Sequence, residues 1–257
     1  MLNFRNTTIG FLFLLALLVY LQLQQGWPWY GYFILVAVYT LLLFYGSFYI
    51  GSGFYMKVIC NGNTGKKQVA ISFDDGPIEK YTPEVLAILK ERQVPATFFC
   101  IGYRAAEHEA LLKQILADGH IVGSHSYYHD FWFDMHGPKR MIAELQQMQA
   151  LVHHITGRQM KWFRPPYGVT NPSVRKAVEA MGYTAIGWNV RSLDTVIRDE
   201  ARLLQKVKNG LKPGAVFLFH DTSHPTVHIL PDFLEYVKAQ GYEIVPLDKL
   251  INLHPYA

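Results

Sequence analysis

The chain has 257 residues, of which 50% are hydrophobic and 17% are charged, and its formal net charge is +4. This length allows one substantial domain, or one domain with an appendage. The modest charge, with no Lys/Arg cluster interleaved with aromatic residues, disfavours nucleic-acid binding. Two cysteines exclude a disulfide framework and a cysteine-rich zinc module.

The amino-terminal segment is apolar, with no charged residue between Arg5 and Lys57. It contains two apolar runs, 9–23 and 29–50, and the second is long enough for a transmembrane helix of roughly 20 residues. No small-residue cleavage pattern follows the first run, which disfavours a cleaved signal peptide. We therefore predict a two-helix membrane hairpin over 1–56. The alternatives are an uncleaved signal followed by a single anchor, and a buried hairpin of a soluble protein.

Basic residues flank this segment on both sides, because Arg5 precedes it and Lys57, Lys66 and Lys67 follow it, whereas the connecting loop is uncharged. The positive-inside rule therefore favours a cytoplasmic position for both ends, although the count rests on few charges. We predict an integral membrane protein with two spans and the lipid bilayer as a partner, and leave open which side the main domain faces. The glycine-containing segment 57–68 is predicted to be a linker.

From residue 69 onward, short β-rich runs alternate with amphipathic helical runs. Strands are predicted at 69–73, 96–101, 121–124, 161–164, 184–189, 215–220 and 243–246. Gly119, Gly182 and Gly241 each stand between a predicted helix and the next strand, where a left-handed C-cap is needed. Strands that alternate with helices indicate a parallel sheet. For 69–257 we predict an α/β domain, a distorted (β/α) barrel with about seven parallel strands.

Ionisable side chains follow the carboxyl ends of five predicted strands. They are Asp74 and Asp75, His125 and His129, Arg164, Asp194, and His220. The active sites of β/α barrels lie at this rim, and a barrel brings such residues together where an open sheet spreads them along a line. Two histidines and a carboxylate form a zinc site with a position left for water. Cobalt, manganese and iron also suit these ligands, so we predict a divalent metal with zinc as the first choice.

Four segments resemble, in order, the signature motifs of the polysaccharide deacetylases. They are SFDDGP at 72–77, HSYYH at 125–129, RPPYG at 164–168 and LFH at 218–220. This family is carbohydrate esterase family four, with the nodulation-type chitooligosaccharide deacetylase homology domain. The resemblance covers about 69–250, nearly all of the chain outside the apolar segment.

The resemblance implies a metal-assisted hydrolysis with a separate base and acid. Asp75, His125 and His129 are expected to bind the metal. Asp74 is expected to take a proton from the attacking water, and His220 to protonate the leaving amine. We also expect Arg164 and the cation to favour the charged form of Asp74.

The same resemblance implies supporting and substrate-binding roles. The backbone N–H of Tyr167 is expected to bind the developing oxyanion, and Asp194 to raise the pKa of the acid histidine. Arg164 is expected beside the base. Pro166, Tyr167 and Leu218 are expected to line the substrate pocket, with Leu218 against the acetyl methyl group.

One motif departs from the family pattern. Many members carry an Asp-x-x-Asp-Trp arrangement, whereas this chain has Arg191 at the first Asp position and Thr195 at the Trp position. An arginine that faces the groove favours an anionic group such as phosphate or carboxylate. The alternative is that Arg191 points into solvent.

The sequence thus predicts a membrane-anchored hydrolase of carbon–nitrogen bonds other than peptide bonds. Its expected reaction removes an N-acetyl group from an amino sugar of peptidoglycan, a chitooligosaccharide or a lipid-linked glycan. An O-acetyl esterase or a deformylase is the alternative on the same site, and an inactive membrane-tethered carbohydrate-binding module is the alternative from another class. No protein partner is predicted.

Overall fold

The structure, a computed structural model, describes residues 2–257. Its helices are α1 Phe4–Gln25, α2 Tyr30–Phe48, α3 Thr82–Arg92, α4 Gly102–Glu107, α5 Glu109–Ala117, α6 Pro138–Thr156, α7 Pro172–Met181, α8 Glu200–Asn209, α9 His224–Ala239 and α10 Leu247–Ile251. Its strands are β1 Gln68–Asp74, β2 Thr97–Cys100, β3 Ile121–Ser124, β4 Trp162–Phe163, β5 Thr184–Ala185, β6 Val190–Arg191, β7 Val216–His220 and β8 Glu243–Ile244. Short 3₁₀ turns occur at Ile50–Ser52, Phe133–Met135 and Pro166–Gly168.

The first two helices form a hairpin with largely exposed side chains, and both are long and apolar enough to cross a membrane. Tyr39 joins the two helices: its hydroxyl lies 2.9 Å from Thr8 Oγ1, and its ring stacks on Phe11 at 4.2 Å between centroids. Phe4 N donates to Phe54 O at 2.9 Å, so the start of α1 lies beside the chain that leaves α2. Both ends of the hairpin are therefore on the side of the main domain.

The end of α2 is bonded directly to the main domain. Thr170 N donates to Ser47 O, and Thr170 Oγ1 donates to Gly46 O, both at 3.0 Å. A Cβ at Gly46 would lie 2.2 Å from the ring of Phe54, so only glycine lets that buried ring pack against the helix. The hairpin therefore ends next to the 3₁₀ turn at Pro166–Gly168.

The strands form one parallel sheet in the order β5-β4-β3-β2-β1-β7-β6, with β8 also paired to β1. The sheet curls into a half-barrel, as predicted, but among the described residues its two end strands, β5 and β6, do not pair with each other. The predicted strand 184–189 is wrong beyond Ala185: β5 ends there, residues 186–189 lie outside the strands, and β6 at the opposite end of the sheet begins only at Val190. Arg164 binds the carbonyl oxygens of Ile186 and Gly187, directly after β5.

The gap between the two end strands contains part of the segment predicted as a linker. Ile59 N donates to Ala185 O at 3.0 Å, and Gly62 N donates to Gly214 O at 2.9 Å. Residues 59–62 thus lie along the open side of the half-barrel and satisfy backbone groups that the missing strand pair leaves free.

Side chains on β1 alternate between the two faces of the sheet, as the period of two in a strand requires. Val69, Ile71 and Phe73 point outward into the main hydrophobic core, beneath the helices. Ala70 points inward, into a second core inside the half-barrel. The inward row ends with Asp74, at the carboxyl rim.

Candidate active site

Strands β1 and β7 are neighbours, and their register pairs Asp74 with His220 at the carboxyl end of both. Phe217 and Phe219 join the outer core, so the period of two directs Leu218 and His220 to the inner face. The residues predicted as base and acid therefore lie at one rim, on adjacent strands.

Arg164 lies directly after β4 and is completely buried inside the half-barrel, 4.0 Å from the centre of the Phe99 ring. Its Nη1 donates to Asp74 Oδ1 at 2.7 Å and to Ser72 Oγ at 2.8 Å. Its Nε and Nη2 donate to carbonyl oxygens between β5 and β6, at 3.2 and 2.9 Å. This network fixes the Asp74 carboxylate, with Oδ1 bound to the guanidinium and Oδ2 3.8 Å from His125 Nε2.

Two opposing effects, burial and the charge of Arg164, set the pKa of Asp74. Burial raises the pKa of the Asp74 carboxyl group above its ordinary value, and the nearby charge of Arg164 opposes that rise without reversing it. The predicted effect of Arg164, which favours the charged form, has the expected direction, but burial outweighs it and the pKa of Asp74 stays above its ordinary value. A carboxylate with a raised pKa accepts a proton more readily near neutral pH, which suits a base.

Asp75, His125 and His129 converge at the same rim. Each offers one ligand atom, and these atoms lie within 4.8 Å of one another. Asp75 Oδ1 is 3.5 Å from Nε2 of both histidines. This oxygen is buried and has no hydrogen-bond partner among residues 2–257, although buried polar atoms normally have one. An unpaired carboxylate oxygen facing two imidazole nitrogens fits a divalent cation of the zinc type.

Left-handed backbone turns present these ligands. Asp75 has φ 77° and His129 has φ 52°, values uncommon for residues other than glycine. Ser126, with φ 65°, accepts a hydrogen bond from His129 N at 3.0 Å through its Oγ. The turn after β3 is therefore closed by its own side chain, and this closure aims His129 back at the carboxylate.

His125 is oriented by the main chain. Its Nδ1 lies 2.8 Å from Arg164 O, and because a carbonyl oxygen only accepts, Nδ1 carries the proton and Nε2 faces Asp75. Burial, followed by the proximity of His129, lowers the pKa of His125 to about 3. The imidazole is therefore neutral, and its bond to Arg164 O turns the Nε2 lone pair toward a metal position.

His220 is held by the carboxylate of Asp194, which lies in the turn after β6. Its Nδ1 lies 2.7 Å from Asp194 Oδ1, while Asp194 Oδ2 accepts from His220 N at 2.7 Å and from Thr226 Oγ1. Burial disfavours the charged imidazolium, but the hydrogen bond and charge of Asp194 outweigh it and raise the pKa of His220 to about 9. The free Nε2 points into the site, 4.0 Å from Asp75 Oδ2.

The residues expected to line the substrate pocket lie around the opening. Tyr167 is 43% exposed, and its ring centre is 4.7 Å from that of His129. Its backbone is left-handed, at φ 59°, and its N–H finds no acceptor within residues 2–257. Pro166 is buried beside it. Leu218 is 2% exposed and lies two residues before His220 on the inner face of β7.

Arg191 is exposed and also lines a cavity together with Tyr167 and Trp188. It lies on β6, with its guanidinium 5.8 Å from the centre of the Trp188 ring. That ring packs on the turn carrying Tyr167, since a Cβ at Gly168 would lie 2.6 Å from it. An aromatic wall is thus present although Thr195 occupies the tryptophan position of the family. The sequence did not indicate a role for Trp188 in the site, because a tryptophan that follows apolar residues is usually part of the core.

A second residue that the sequence analysis missed is Asp221, buried directly after β7. Its Oδ2 accepts a hydrogen bond from Thr82 Oγ1 at 2.7 Å, and burial raises its pKa to about 7. A Cβ at Gly76 would lie 1.9 Å from that oxygen. Asp221 therefore packs directly against the turn that carries Asp75.

A further group of potential ligands lies away from the rim cluster, at the starts of α8 and α9. Glu200, His224 and His228 also bring their ligand atoms within 4.8 Å of one another. His228 Nδ1 is already 2.7 Å from Glu200 Oε1, and both side chains are nearly half exposed. The exposed ion pair between Glu200 and His228 explains why these side chains lie close together, without a metal.

A curled parallel half-barrel with ionisable side chains at its carboxyl rim is the arrangement in which β/α-barrel enzymes build their active sites. The sequence model of the polysaccharide deacetylases matches residues 61–186. The peptidoglycan-N-acetylmuramic acid deacetylase PdaA of Bacillus subtilis is 32% identical over 194 residues, which are 74% of this chain and 73% of that protein. The chain belongs to the polysaccharide deacetylase family.

Two further comparisons extend this result. The peptidoglycan-N-acetylglucosamine deacetylase PgdA of Listeria monocytogenes is 36% identical over 184 residues, covering 72% of this chain but 39% of that protein, so the chain spans about two fifths of its length. The crystal structure of a CE4 family pseudoenzyme from Bacillus anthracis has a TM-score of 0.70 at 29% identity, covering 76% of this chain and 68% of that one. The fold and the family are therefore the predicted ones.

Proposed function

We propose that this chain is a membrane-anchored, divalent-metal-dependent hydrolase that removes the N-acetyl group from an amino sugar. In this proposal 1–56 is the anchor, 57–68 the connecting segment and 69–257 the catalytic domain. The observation that carries the proposal is the convergence of Asp75, His125 and His129 on one point, with an unpaired buried oxygen, between Asp74 and His220. Two curated relatives are named as peptidoglycan deacetylases, which supports the reaction class.

Asp75, His125 and His129 are the proposed metal ligands, with zinc as the first choice. A divalent ion held there polarises the acetyl carbonyl and lowers the pKa of the attacking water. The neutral state of His125, set by burial and by its bond to Arg164 O, suits this role.

Asp74 is the proposed general base. Its Oδ1 is held by Arg164, so the carboxylate cannot rotate away, and Oδ2 faces the metal ligands. Because Oδ2 lies 3.8 Å from His125 Nε2, beside the proposed metal ligands, Asp74 can take the proton of the attacking water there. Arg164 acts through Asp74 and is a positioning residue.

His220 is the proposed general acid. Its Nδ1–H is bound to Asp194, so the proton on Nε2 is the one offered to the site. When the carbonyl carbon has gained the water oxygen, the C–N bond breaks and Nε2–H protonates the leaving amine. Asp194 keeps the imidazole charged and correctly oriented until then.

The opening of the site supplies the remaining contacts. The backbone N–H of Tyr167, which lacks an acceptor within residues 2–257, is the proposed donor to the developing oxyanion. Pro166 and the Tyr167 ring form one wall of the pocket. Leu218 is the proposed contact for the acetyl methyl group, since it shares the inner face of β7 with His220.

One structural neighbour favours an alternative, an inactive carbohydrate-binding module, since that protein is a pseudoenzyme of the same family. A binding module needs neither base nor acid. Here both Asp74 and His220 are present, and each is held by its own buried partner, Arg164 or Asp194. These pairs support the hydrolase.

The test combines metal analysis with acetate release from N-acetylated chitooligosaccharides, peptidoglycan fragments and lipid-linked N-acetylated sugars. Asp74→Asn and His220→Ala are expected to lose about 10²–10⁴-fold in rate while keeping the metal, whereas His125→Ala should lose the metal. His153→Ala, an exposed change on α6, is the control and should keep both. Undiminished hydrolysis by the Asp74 variant would rule out the assigned base.

O-acetylated and N-formylated sugars in the same assay separate the esterase and deformylase alternatives. A wild-type chain that binds the metal and hydrolyses none of the three acyl types is a binding module.

A further inference from the structure

A cavity of about 460 Å³ lies between the end of the hairpin and the rim of the half-barrel. Its size is within the range of small-molecule sites, about 300–1,000 Å³. One side comes from the exposed aromatic residues that end α2, and the other from side chains next to the catalytic rim. The lining residues that matter are Phe48, Tyr49, Tyr167, Trp188, Arg191 and Lys212.

The charged lining of this cavity is entirely cationic. Arg191 and Lys212 are its only ionisable charges at neutral pH among the lining residues of the described chain. Neither has a carboxylate within 4.0 Å in residues 2–257, so both charges are uncompensated. The same two residues line an adjoining groove of about 630 Å³, where Arg202 and Lys206 add charge and no Asp or Glu occurs. Arginine and lysine together in such a place favour phosphate.

The cavity is continuous with the proposed active site. Tyr167 belongs to both, because it lines the cavity and its ring contacts that of the ligand His129 at 4.7 Å. Trp188 also joins them, with its ring 5.6 Å from Arg164 and 5.8 Å from Arg191. A sugar whose N-acetyl group is at the metal ligands can therefore extend a substituent past these two rings to Arg191.

The opposite end of the cavity lies where α2 leaves the apolar segment. Phe48 is 65% exposed and Tyr49 is 56% exposed, and exposed aromatic residues at the end of an apolar helix lie in the headgroup region when that helix spans a bilayer. Hydrogen bonds from Thr170 to Ser47 and Gly46 fix this helix end against the catalytic domain. The cavity thus connects the level of lipid headgroups with the catalytic rim.

We infer that this cavity binds the phosphate of a lipid-linked amino sugar, so that the substrate is an N-acetylated sugar attached through phosphate to a lipid in the bilayer. The inference rests on the proposed deacetylase function and names its substrate class. The sugar occupies the catalytic rim, the phosphate binds Arg191 and Lys212, and the lipid lies alongside α2. The reaction is unchanged: one water hydrolyses the amide C–N bond and gives acetate and the free amine.

The test uses the full-length chain in detergent micelles with three probes. They are a polyprenyl N-acetylglucosaminyl phosphate, N-acetylglucosamine 1-phosphate and neutral N-acetylchitotetraose. The lipid-linked probe is expected to have a kcat/KM roughly tenfold or more above each of the others. Equal or better hydrolysis of the neutral oligosaccharide overturns the inference, and equal hydrolysis of the soluble sugar phosphate overturns its lipid component.

Variants locate the phosphate site. Arg191→Ala combined with Lys212→Ala should raise KM for the lipid-linked probe by about tenfold or more and collapse its advantage over chitotetraose. Arg191→Lys should recover only part of the loss, because lysine lacks the bidentate fork. Lys176→Ala removes an exposed charge from α7 and should change nothing. An unchanged substrate ratio in the double variant overturns the inference.

A binding measurement separates this inference from the proposed reaction. Calorimetric titration of the Asp74→Asn chain with the lipid-linked probe is expected to give saturable binding that the double change at Arg191 and Lys212 weakens by about tenfold. If that binding occurs but the wild-type chain releases no acetate, the cavity assignment stands and the deacetylase proposal fails. If acetate is released from chitotetraose without binding of the lipid-linked probe, the deacetylase stands and the cavity assignment fails.

Discussion

Asp74 and Arg164 form an ion pair in the protein interior, where water cannot solvate either charge if its partner is removed. Both side chains are almost fully buried, and the contact is 2.7 Å. Removing one member of such a pair leaves an uncompensated charge in the interior, which costs much more than breaking an exposed pair. Arg175 and Glu179 on α7 provide the comparison, since they are also 2.7 Å apart but both more than half exposed.

We therefore predict that Arg164→Met lowers the free energy of unfolding by about 3–5 kcal/mol. Arg175→Met, its matched control, should change it by less than about 1 kcal/mol. Denaturant unfolding followed by circular dichroism measures both. Similar effects in the two variants would contradict the structural role given to the buried pair.

The proposed acid, His220, keeps its positive charge mainly through Asp194. Burial lowers the pKa of its imidazole, and the hydrogen bond and charge of Asp194 raise it. The pKa of His220 is raised to about 9, so the imidazolium is present below that value and is lost as the pH rises through it. If the charged form donates the proton, kcat falls on the alkaline side near this pH.

Asp194→Asn should move that alkaline limb to lower pH by about one unit or more, since burial is then opposed only by the weaker charges of Asp75 and Asp74. The pH profile of kcat, supported by NMR titration of the His220 ring, measures the shift. Glu200→Gln is the matched control, because Glu200 also binds a histidine at 2.7 Å but outside the rim. An alkaline limb that stays in place would exclude His220 as the titrating acid.

At the level of elements, the turn after β1 depends on close packing between two strand ends. Gly76 follows Asp75, and any Cβ there would meet Asp221 Oδ2 at 1.9 Å. Asp221 is held by Thr82 at the start of α3, so it cannot easily withdraw. The position of Asp75, the proposed metal ligand, therefore depends on a neighbouring glycine that has no side chain of its own.

Gly76→Ala is predicted to destabilise the fold by about 1–3 kcal/mol through overpacking and to weaken metal binding. Thermal unfolding and metal titration measure the two effects. Gly65→Ala, where an added Cβ meets nothing within 4 Å, is the control and should alter neither. Normal metal affinity in the Gly76 variant would contradict the coupling of this turn to the ligand set.

The elements also show what the sequence could and could not predict. Motif spacing and strand order placed Asp74, His125 and His220 at one rim, because parallel strands deliver their following residues to the same edge. The early end of β5 at Ala185 was not predictable, because the carbonyl oxygens of Ile186 and Gly187 accept hydrogen bonds from Arg164, which is distant in sequence. The strand-like contacts of residues 59–62 were missed for the same reason. The local sequence pattern of a segment cannot predict a hydrogen bond from a residue that is distant in sequence.

At the scale of the whole molecule, hydrogen bonds as well as the connecting chain join the hairpin to the main domain. Phe4 bonds to Phe54 at one helix end, and Thr170 bonds to Gly46 and Ser47 at the other. Both contacts lie on the domain side of the hairpin. If the two helices span a bilayer, the amino terminus and the catalytic domain must therefore face the same compartment.

The positive-inside rule favours the cytoplasm as that compartment, since Arg5, Lys57, Lys66 and Lys67 flank the helices and the loop 26–29 is uncharged. We predict that a green fluorescent protein fused after Ala257 is fluorescent and that alkaline phosphatase there is inactive. The same reporters fused after Gly26 should give the reverse pattern, which controls for the hairpin itself. Phosphatase activity at Ala257 would place the domain outside the cytoplasm. If the fusions place the domain in the cytoplasm, it has no access to the polymeric cell wall. The proposed amino-sugar substrate is then attached to a soluble or membrane carrier, which agrees with the cationic cavity proposed at the level of the lipid headgroups.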